Sequence, residues 1–249
     1  MSVRVSSTGQ PTIVLVHGAF AESSSWNGVI SLLLDDGFPV LAVANPLRGV
    51  KSDSDYLAGV LGGIEGDIVL AGHSYGGTLI SNAATGNERV KALVYVGGYA
   101  PDAGETAASL SGRYEGGSLG ETLVAFDLPD GDKDLYILQD KYRAQFAADV
   151  PEDESARMAA TQRPIVESAL NEASGDPAWK TIPSWFLFGE LDKNIPVAAH
   201  RFMAERAGAR RTVEIAGGSH AVGIPEAPVV VDIIREAASS VRTQDAVAN

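Results

Sequence analysis

Cysteine is absent from the 249 residues, which excludes a disulfide framework, a thiolate zinc site and a cysteine nucleophile at once. Histidine is scarce, with four in the chain, so imidazole chemistry has few candidates. Basic residues are outnumbered, 19 Lys and Arg against 32 Asp and Glu, for a formal net charge of −13. Such a surface repels phosphate backbones and anionic lipid, which argues against a nucleic-acid or membrane-surface role. No apolar run approaches the roughly 20 residues of a membrane span. The opening MSVRVSSTGQ lacks the apolar centre of a secretory signal. The expected location is therefore the cytoplasm, as a monomer or homodimer acting on a small molecule.

What is present is ordinary for a globular protein: 45% hydrophobic and 20% charged residues. A chain of this length buries roughly three quarters of its unfolded surface, so one domain over residues 1–249 needs neither metal nor disulfide for stability. Short apolar runs alternate with helical patterns, as in a parallel sheet covered on both faces. Strands are expected at Thr12–His17, Pro39–Ala44, Asp67–Gly72, Val90–Gly97, Ser184–Gly189 and Thr212–Ile215. Trp26, Val29, Ile30, Leu33 and Leu34 fall at helical spacing, with Gly37 at a C-terminal cap. Pro196 suits the first turn of another helix, which Gly208 ends. Val229, Val230, Ile233 and Ile234 mark a last amphipathic helix, with a frayed tail from Ser239. The rhythm breaks between about 101 and 182, where helical patterns at Leu135–Asp149 and Glu152–Ala173 are expected and no strand. An insertion this long reads as a mostly helical cap between core segments 1–100 and 183–249.

One motif carries chemistry. Gly72-His73-Ser74-Tyr75-Gly76 fits G-x-S-x-G, a sharp strand-to-helix turn with the serine hydroxyl at its apex. Positive φ at the serine crowds the residues two positions away, hence glycine at both flanks. Ile68–Ala71 supplies the strand before the turn, and Thr78, Leu79, Ile80 and Ala83 supply a helix after it. The competing reading is a phosphate-binding turn. That would want G-x-G-x-x-G, or a lysine beside Ser/Thr, and neither is here.

The base follows by elimination among the histidines. His17 ends the first strand and is expected to organise a loop, and His73 lies inside the turn itself. His200 falls mid-helix, where a solvated or half-buried ring is expected. His220, in Gly217-Gly218-Ser219-His220-Ala221, follows the last strand, where a loop can carry its ring over Ser74. Chain order Ser, acid, His selects Asp192 after strand Ser184–Gly189, with Glu190 as rival. Backbone N–H groups of Tyr75 and Ala19, or Phe20 in its place, are expected to face a developing oxyanion. Phe20, Trp26, Tyr99, Phe126, Tyr142, Phe146 and Trp179 are candidates to line an apolar pocket. A histidine base must be neutral, so activity is expected to fall below about pH 6–6.5.

LVHGAF, GHSYGG, FGELD and GGSHAV, in that order, make the chain resemble the α/β-hydrolase superfamily over nearly its whole length. The short N-terminus and IPVAAHRFMAERAGA resemble small bacterial and plant esterases related to methyl-ester esterases and hydroxynitrile lyases. The resemblance implies a three-layer αβα sandwich on a mostly parallel six-stranded sheet, lacking the usual N-terminal hairpin and carrying a cap. It also implies a triad of Ser74, Asp192 and His220, oxyanion donors Ala19 and Tyr75, and no cofactor or metal. Two departures bear on the reaction. Hydroxynitrile lyases of this group carry threonine where this chain has Gly18, and lysine after the base where it has Ala221. The expected reaction is hydrolysis of a carboxylic ester or lactone of a small, largely apolar substrate through an acyl-enzyme. Amide, carbamate or C–C hydrolysis, perhydrolase or cofactor-free oxygenase chemistry, and ligand binding without turnover remain as alternatives on the same scaffold.

Overall fold

TIVLV, buried at all five positions, is β1 (Thr12–Val16). Its neighbour β3 (Ile68–His73) is buried throughout as well, and β4 (Val90–Val96), beyond β3, is buried at all positions but Lys91. Such unbroken apolar runs belong to strands covered on both faces, where alternation has no solvent side to report. With β2 (Val40–Val43), β8 (Ser184–Gly189) and β9 (Arg211–Ile215) they form one sheet in the order β2-β1-β3-β4-β8-β9. Every adjacent pair in it is parallel. The computed structural model describes residues 9–247. Alternate residues of each strand serve opposite layers. Ile13 and Leu15 of β1 pack with Trp26, Val230 and Ile233, whereas Val14 and Val16 join Leu70, Leu93 and Phe186 on the other face. The edge strand β9 keeps only Val213 and Ile215 partly buried.

Expected and observed strands of this sheet differ by a residue or so at their ends. The helices follow suit. α1 (Asn27–Asp35) ends before Gly37, whose φ of +78° closes the turn. α2 (Val50–Gly62), unassigned in the sequence reading, precedes β3. α3 (Tyr75–Ala83) follows β3 directly. α8 (Val197–Arg206) begins after Pro196, with Gly208 at φ +59° beyond its end. α9 runs from Ala227 to Val247, which corrects the expected fraying from Ser239. Ala237, Ala238 and Val241 are buried in the layer beneath the sheet, and that burial holds the helix past its apolar start. The last two residues of the expected tail, like the first eight of the chain, lie outside the described residues. Among those described, no helix is long and apolar enough to cross a membrane.

Between β4 and β8 the regular structure is mainly helical, in α4 (Ala107–Ser111), α5 (Gln139–Phe146), α6 (Glu152–Thr161) and α7 (Glu167–Asn171), with irregular chain between. The expectation of no strand there is corrected. β5 (Leu123–Asp127), β6 (Lys133–Ile137) and β7 (Ile165–Val166) form an antiparallel sheet in that order. Asp130-Gly131, with Gly131 at φ +91°, is the hairpin turn joining the first two. The helix expected from Leu135 therefore starts only at Gln139, because Leu135 and Ile137 alternate inward as strand residues. The long helix expected over 152–173 is interrupted at Gln162–Val166, where Pro164 cannot supply a helical N–H.

Candidate active site

Ser74 caps α3 at the end of β3, with φ +53° and ψ −125°. This backbone region costs a non-glycine residue on the order of 1–3 kcal/mol. The surroundings hold it there: Ser74 N–H donates to Gly97 O at 3.2 Å, and Ser74 O accepts from Gly77 N at 2.9 Å and Tyr99 N at 3.1 Å. A Cβ at Gly72 would lie 2.6 Å from Gly76 O, and one at Gly76 would collide with Val16 O. The turn closes only with glycine at both flanks. The backbone after β1 presses on the same apex, since a Cβ at Gly18 would lie 2.6 Å from Ser74 Cβ and 3.1 Å from Tyr75 N.

That approach places amide groups around Ser74. The N–H groups of Ala19 and Tyr75 meet no hydrogen-bond acceptor among the described residues. Phe20 differs: its N–H donates to Arg163 O at 2.9 Å and its carbonyl accepts from Tyr142 Oη at 2.7 Å. Its backbone is committed to the insertion, so its N–H is not free to serve in place of Ala19. The Tyr75 side chain turns away and donates to Asp53 Oδ2 at 3.2 Å. His17 organises this loop. Its Nδ1 faces Gly18 O at 2.9 Å and its Nε2 accepts from Asn45 N at 3.0 Å, which defines a neutral ring protonated at Nδ1.

His220 lies in the loop after β9, with no side-chain exposure. Its Nδ1 is 2.7 Å from Asp192 Oδ2, and its Nε2 is buried without a hydrogen-bond partner among the described residues. Asp192 Oδ1 accepts from Asn194 N at 2.8 Å and Ile195 N at 2.9 Å. Burial alone would raise the Asp192 carboxyl. The neighbouring His220 charge and the hydrogen bonds from His200 and His220 outweigh it and hold the carboxyl well below the usual range. Glu190, the rival acid, instead accepts from Gly217 N at 3.0 Å.

The expectation of a solvated or half-buried His200 is corrected. The ring is fully buried, stacks on Phe188 with centroids 4.8 Å apart, and sets Nε2 3.0 Å from Asp192 Oδ2. A signal existed: Ala199, His200, Met203 and Ala204 recur at the spacing of one buried helical face. The insertion also grips the His220 loop, through Asp149 accepting from Ser219 N at 2.8 Å and Phe146 O accepting from Ala221 N at 2.9 Å. His73 Nε2 is 3.0 Å from His220 O; a carbonyl only accepts, so this nitrogen carries the proton.

Burial lowers His17 to about 4, and burial with His220 alongside lowers His73 to about 3, from 6.5 in the open chain. Unfolding then takes up protons that the native state refuses. Stability is complete above pH 6.5 and declines as pH falls toward 4 for His17 and 3 for His73. Near pH 5 the two rings together should remove about 2–3 kcal/mol of stability per pH unit. Urea unfolding at pH 7, 6, 5 and 4.5 measures this, and a flat profile would contradict the buried neutral rings.

The pocket candidates scatter. Trp26 and Phe146 line a small apolar hollow with His73, Met158, Ala221 and Ile224. Phe20 and Tyr142 border a wider cleft beside it that shares Ala21, Ser25, Met158 and Ile224. Neither has Ser74 or His220 in its wall, although Phe146 packs edge-on against the His220 ring at 4.9 Å. Tyr99 is core, hydrogen-bonded to Ser111 Oγ at 2.5 Å. Trp179 donates to Pro101 O at 2.9 Å beneath the Arg206 guanidinium. Phe126 is 57% exposed on the outer sheet of the insertion, against Tyr136. It faces a separate surface groove, so its expected place in the pocket is corrected.

The chain is similar to an alpha/beta hydrolase, nvfD of Aspergillus novofumigatus (strain IBT 16806), at 26% identity over 253 residues, covering 92% of this chain and 97% of that protein. Among solved structures, polyneuridine aldehyde esterase superposes with a TM-score of 0.78 at 20% identity, over 91% of this chain and 98% of that one. Methylesterase MES16 from Arabidopsis gives 0.74 at 16% identity, over 92% and 99%. Identities this low carry the fold alone. The family model described as Alpha/beta hydrolase family matches residues 13–232, from β1 through the insertion into α9. The chain belongs to the alpha/beta hydrolase family.

Proposed function

We propose that the protein is a serine hydrolase that cleaves a carboxylic ester or lactone through an acyl-enzyme, with Ser74 as nucleophile, His220 as base and Asp192 as orienting acid. The observation that carries this reading is the state of His220. Asp192 holds one ring nitrogen, and the other is buried and unpartnered. A ring anchored in this way presents a basic lone pair with no competing use. In the reaction His220 Nε2 takes the Ser74 hydroxyl proton as Oγ attacks the carbonyl carbon. The imidazolium then gives that proton to the leaving alkoxide. Water, deprotonated by the same ring, hydrolyses the acyl-enzyme and returns the proton to Ser74. Asp192 stays ionised and stabilises the imidazolium. The unpaired N–H groups of Ala19 and Tyr75 would receive the oxyanion, helped by the positive end of α3.

A small, largely apolar acyl or alcohol group would suit the apolar surface of Trp26, Phe146, Met158 and Ile224, of which Phe146 packs on the His220 ring. Lyase chemistry is disfavoured by Gly18, where any side chain would run into Ser74, and by Ala221 in place of a lysine beside the base. The direct test is labelling with a fluorophosphonate, followed by peptide mapping, alongside a screen of short p-nitrophenyl esters and lactones. Modification at Ser74 with loss of esterase activity is the expected outcome. Turnover that survives complete labelling, or labelling at a different residue, would sink the assignment.

A further inference from the structure

We propose that His200 is a positioning residue for the acyl transfer: it donates to the Asp192 oxygen that also receives His220, and so tunes the pH range over which His220 acts as base. The inference rests on the reading of Ser74, His220 and Asp192 just given. A carboxylate offers about four acceptor positions. At Asp192 all are met: Asn194 N and Ile195 N on Oδ1, and His220 Nδ1 and His200 Nε2 on Oδ2. A proton on this carboxyl would point at a donor. The proton taken from Ser74 therefore stays on His220 and is not passed inward.

The geometry also defines which proton His200 holds. Nε2 faces the carboxylate and must carry hydrogen to bond it. Nδ1 is buried with no acceptor among the described residues, and the ring lies flat on Phe188. A second proton would sit on an unpaired N–H in an apolar stack, so the ring acts as a neutral donor. The charged and titratable groups around it and around His220 are few; His73, its ring centroid 4.8 Å from that of His220, is kept neutral chiefly by burial. Asp192 faces it from the loop after β8, and His220 approaches the same oxygen from the loop after β9. Glu214 on β9 is paired with Arg201 of α8 at the surface. Tyr99, beyond β4, is kept un-ionised, chiefly by burial and also by the Asp192 charge.

A neutral donor on Oδ2 draws off part of the carboxylate's negative charge. That weakens the pull of Asp192 on the His220 imidazolium while keeping the oxygen aimed at Nδ1. Removing the donor should have two effects. The orientation of the pair loosens, which slows acylation. The imidazolium becomes better stabilised, which moves the acid limb of the rate profile to higher pH.

The experiment follows the rate at which a fluorophosphonate phosphonylates Ser74, Oγ–P forming as fluoride leaves, from pH 5 to 9 in wild type, His200→Phe and His200→Gln. Phenylalanine keeps the stack on Phe188 without the donor, and glutamine restores an N–H. His200→Phe should be phosphonylated about tenfold more slowly on the plateau, the worth of one hydrogen bond to a charged group. Its acid limb should lie about half a pH unit or more above wild type. His200→Gln should recover most of both. An unchanged limb in His200→Phe, or a glutamine variant that behaves like phenylalanine, overturns the inference while leaving the serine mechanism standing. Wild type that is not phosphonylated at Ser74 overturns the mechanism and the inference with it. Should His200→Phe fail to fold, nitrogen NMR of the wild-type histidines at pH 7.5 decides. A neutral Nε2–H tautomer at His200 supports the proposal, and an Nδ1–H tautomer or an imidazolium overturns it.

Discussion

Replacing Ser74 with alanine should lower turnover of a short p-nitrophenyl ester by on the order of 10⁶-fold, with little change in KM or melting temperature. The size follows from the chemistry. Without Oγ there is no acyl-enzyme, and the proton that His220 would accept no longer exists. Residual acceleration of about 10³–10⁴ over water should remain, from oxyanion donors and binding alone. Stability should hold because Ser74 keeps its backbone through its own N–H and carbonyl, bonded to Gly97, Gly77 and Tyr99. Alanine meets the same conformational cost at φ +53° as serine does. Adding His220→Ala to Ser74→Ala should remove little more, since the two groups act as one unit. Equal turnover by wild type and Ser74→Ala would place the chemistry elsewhere.

Gly18→Ala should be the second severe change, through a single methyl group. Its Cβ would lie 2.6 Å from Ser74 Cβ, 2.8 Å from His73 O and 3.1 Å from Tyr75 N. These neighbours are backbone, or a side chain one bond from it, so none can swing aside. Either the loop after β1 lifts, taking Ala19 N–H with it, or the serine turn is pushed off its apex. Misplacing one oxyanion donor costs about 10²–10³ in kcat, and overpacking of this kind costs about 1–3 kcal/mol of stability. The measurement is kcat and KM beside urea unfolding, with Gly59→Ala as control. Gly59 lies within α2 with nothing within 4 Å of its Cβ position, and alanine there should add about 0.5–1 kcal/mol. Wild-type kcat in Gly18→Ala would show that the loop after β1 takes no part in catalysis.

The main sheet was legible because its inner strands β1, β3, β4 and β8 are nearly continuous buried runs, whose ends are marked by glycine, proline and charge. The serine turn was legible for a related reason. A strained φ forces glycine at fixed offsets, and Gly72 and Gly76 stand two residues either side of Ser74. The outer sheet of the insertion was not legible. β6 alternates over only five residues, and its β7 partner lies far along the chain at Ile165. Only Asp130-Gly131 announced it locally.

What the sequence by itself determined is what backbone conformation and short-range periodicity impose: the strands of the main sheet and the turn at Ser74. Only the tertiary structure decided what depends on packing between distant segments. It brought His200 onto Asp192 by laying α8 against β8, tied the Phe20 backbone to Arg163 and Tyr142, and turned Phe126 outward. The reason is physical. A strained turn writes its demand into adjacent residues, whereas a hydrogen bond such as that of Tyr142 to Phe20 joins groups 122 positions apart, and nothing in either residue's neighbourhood specifies the other.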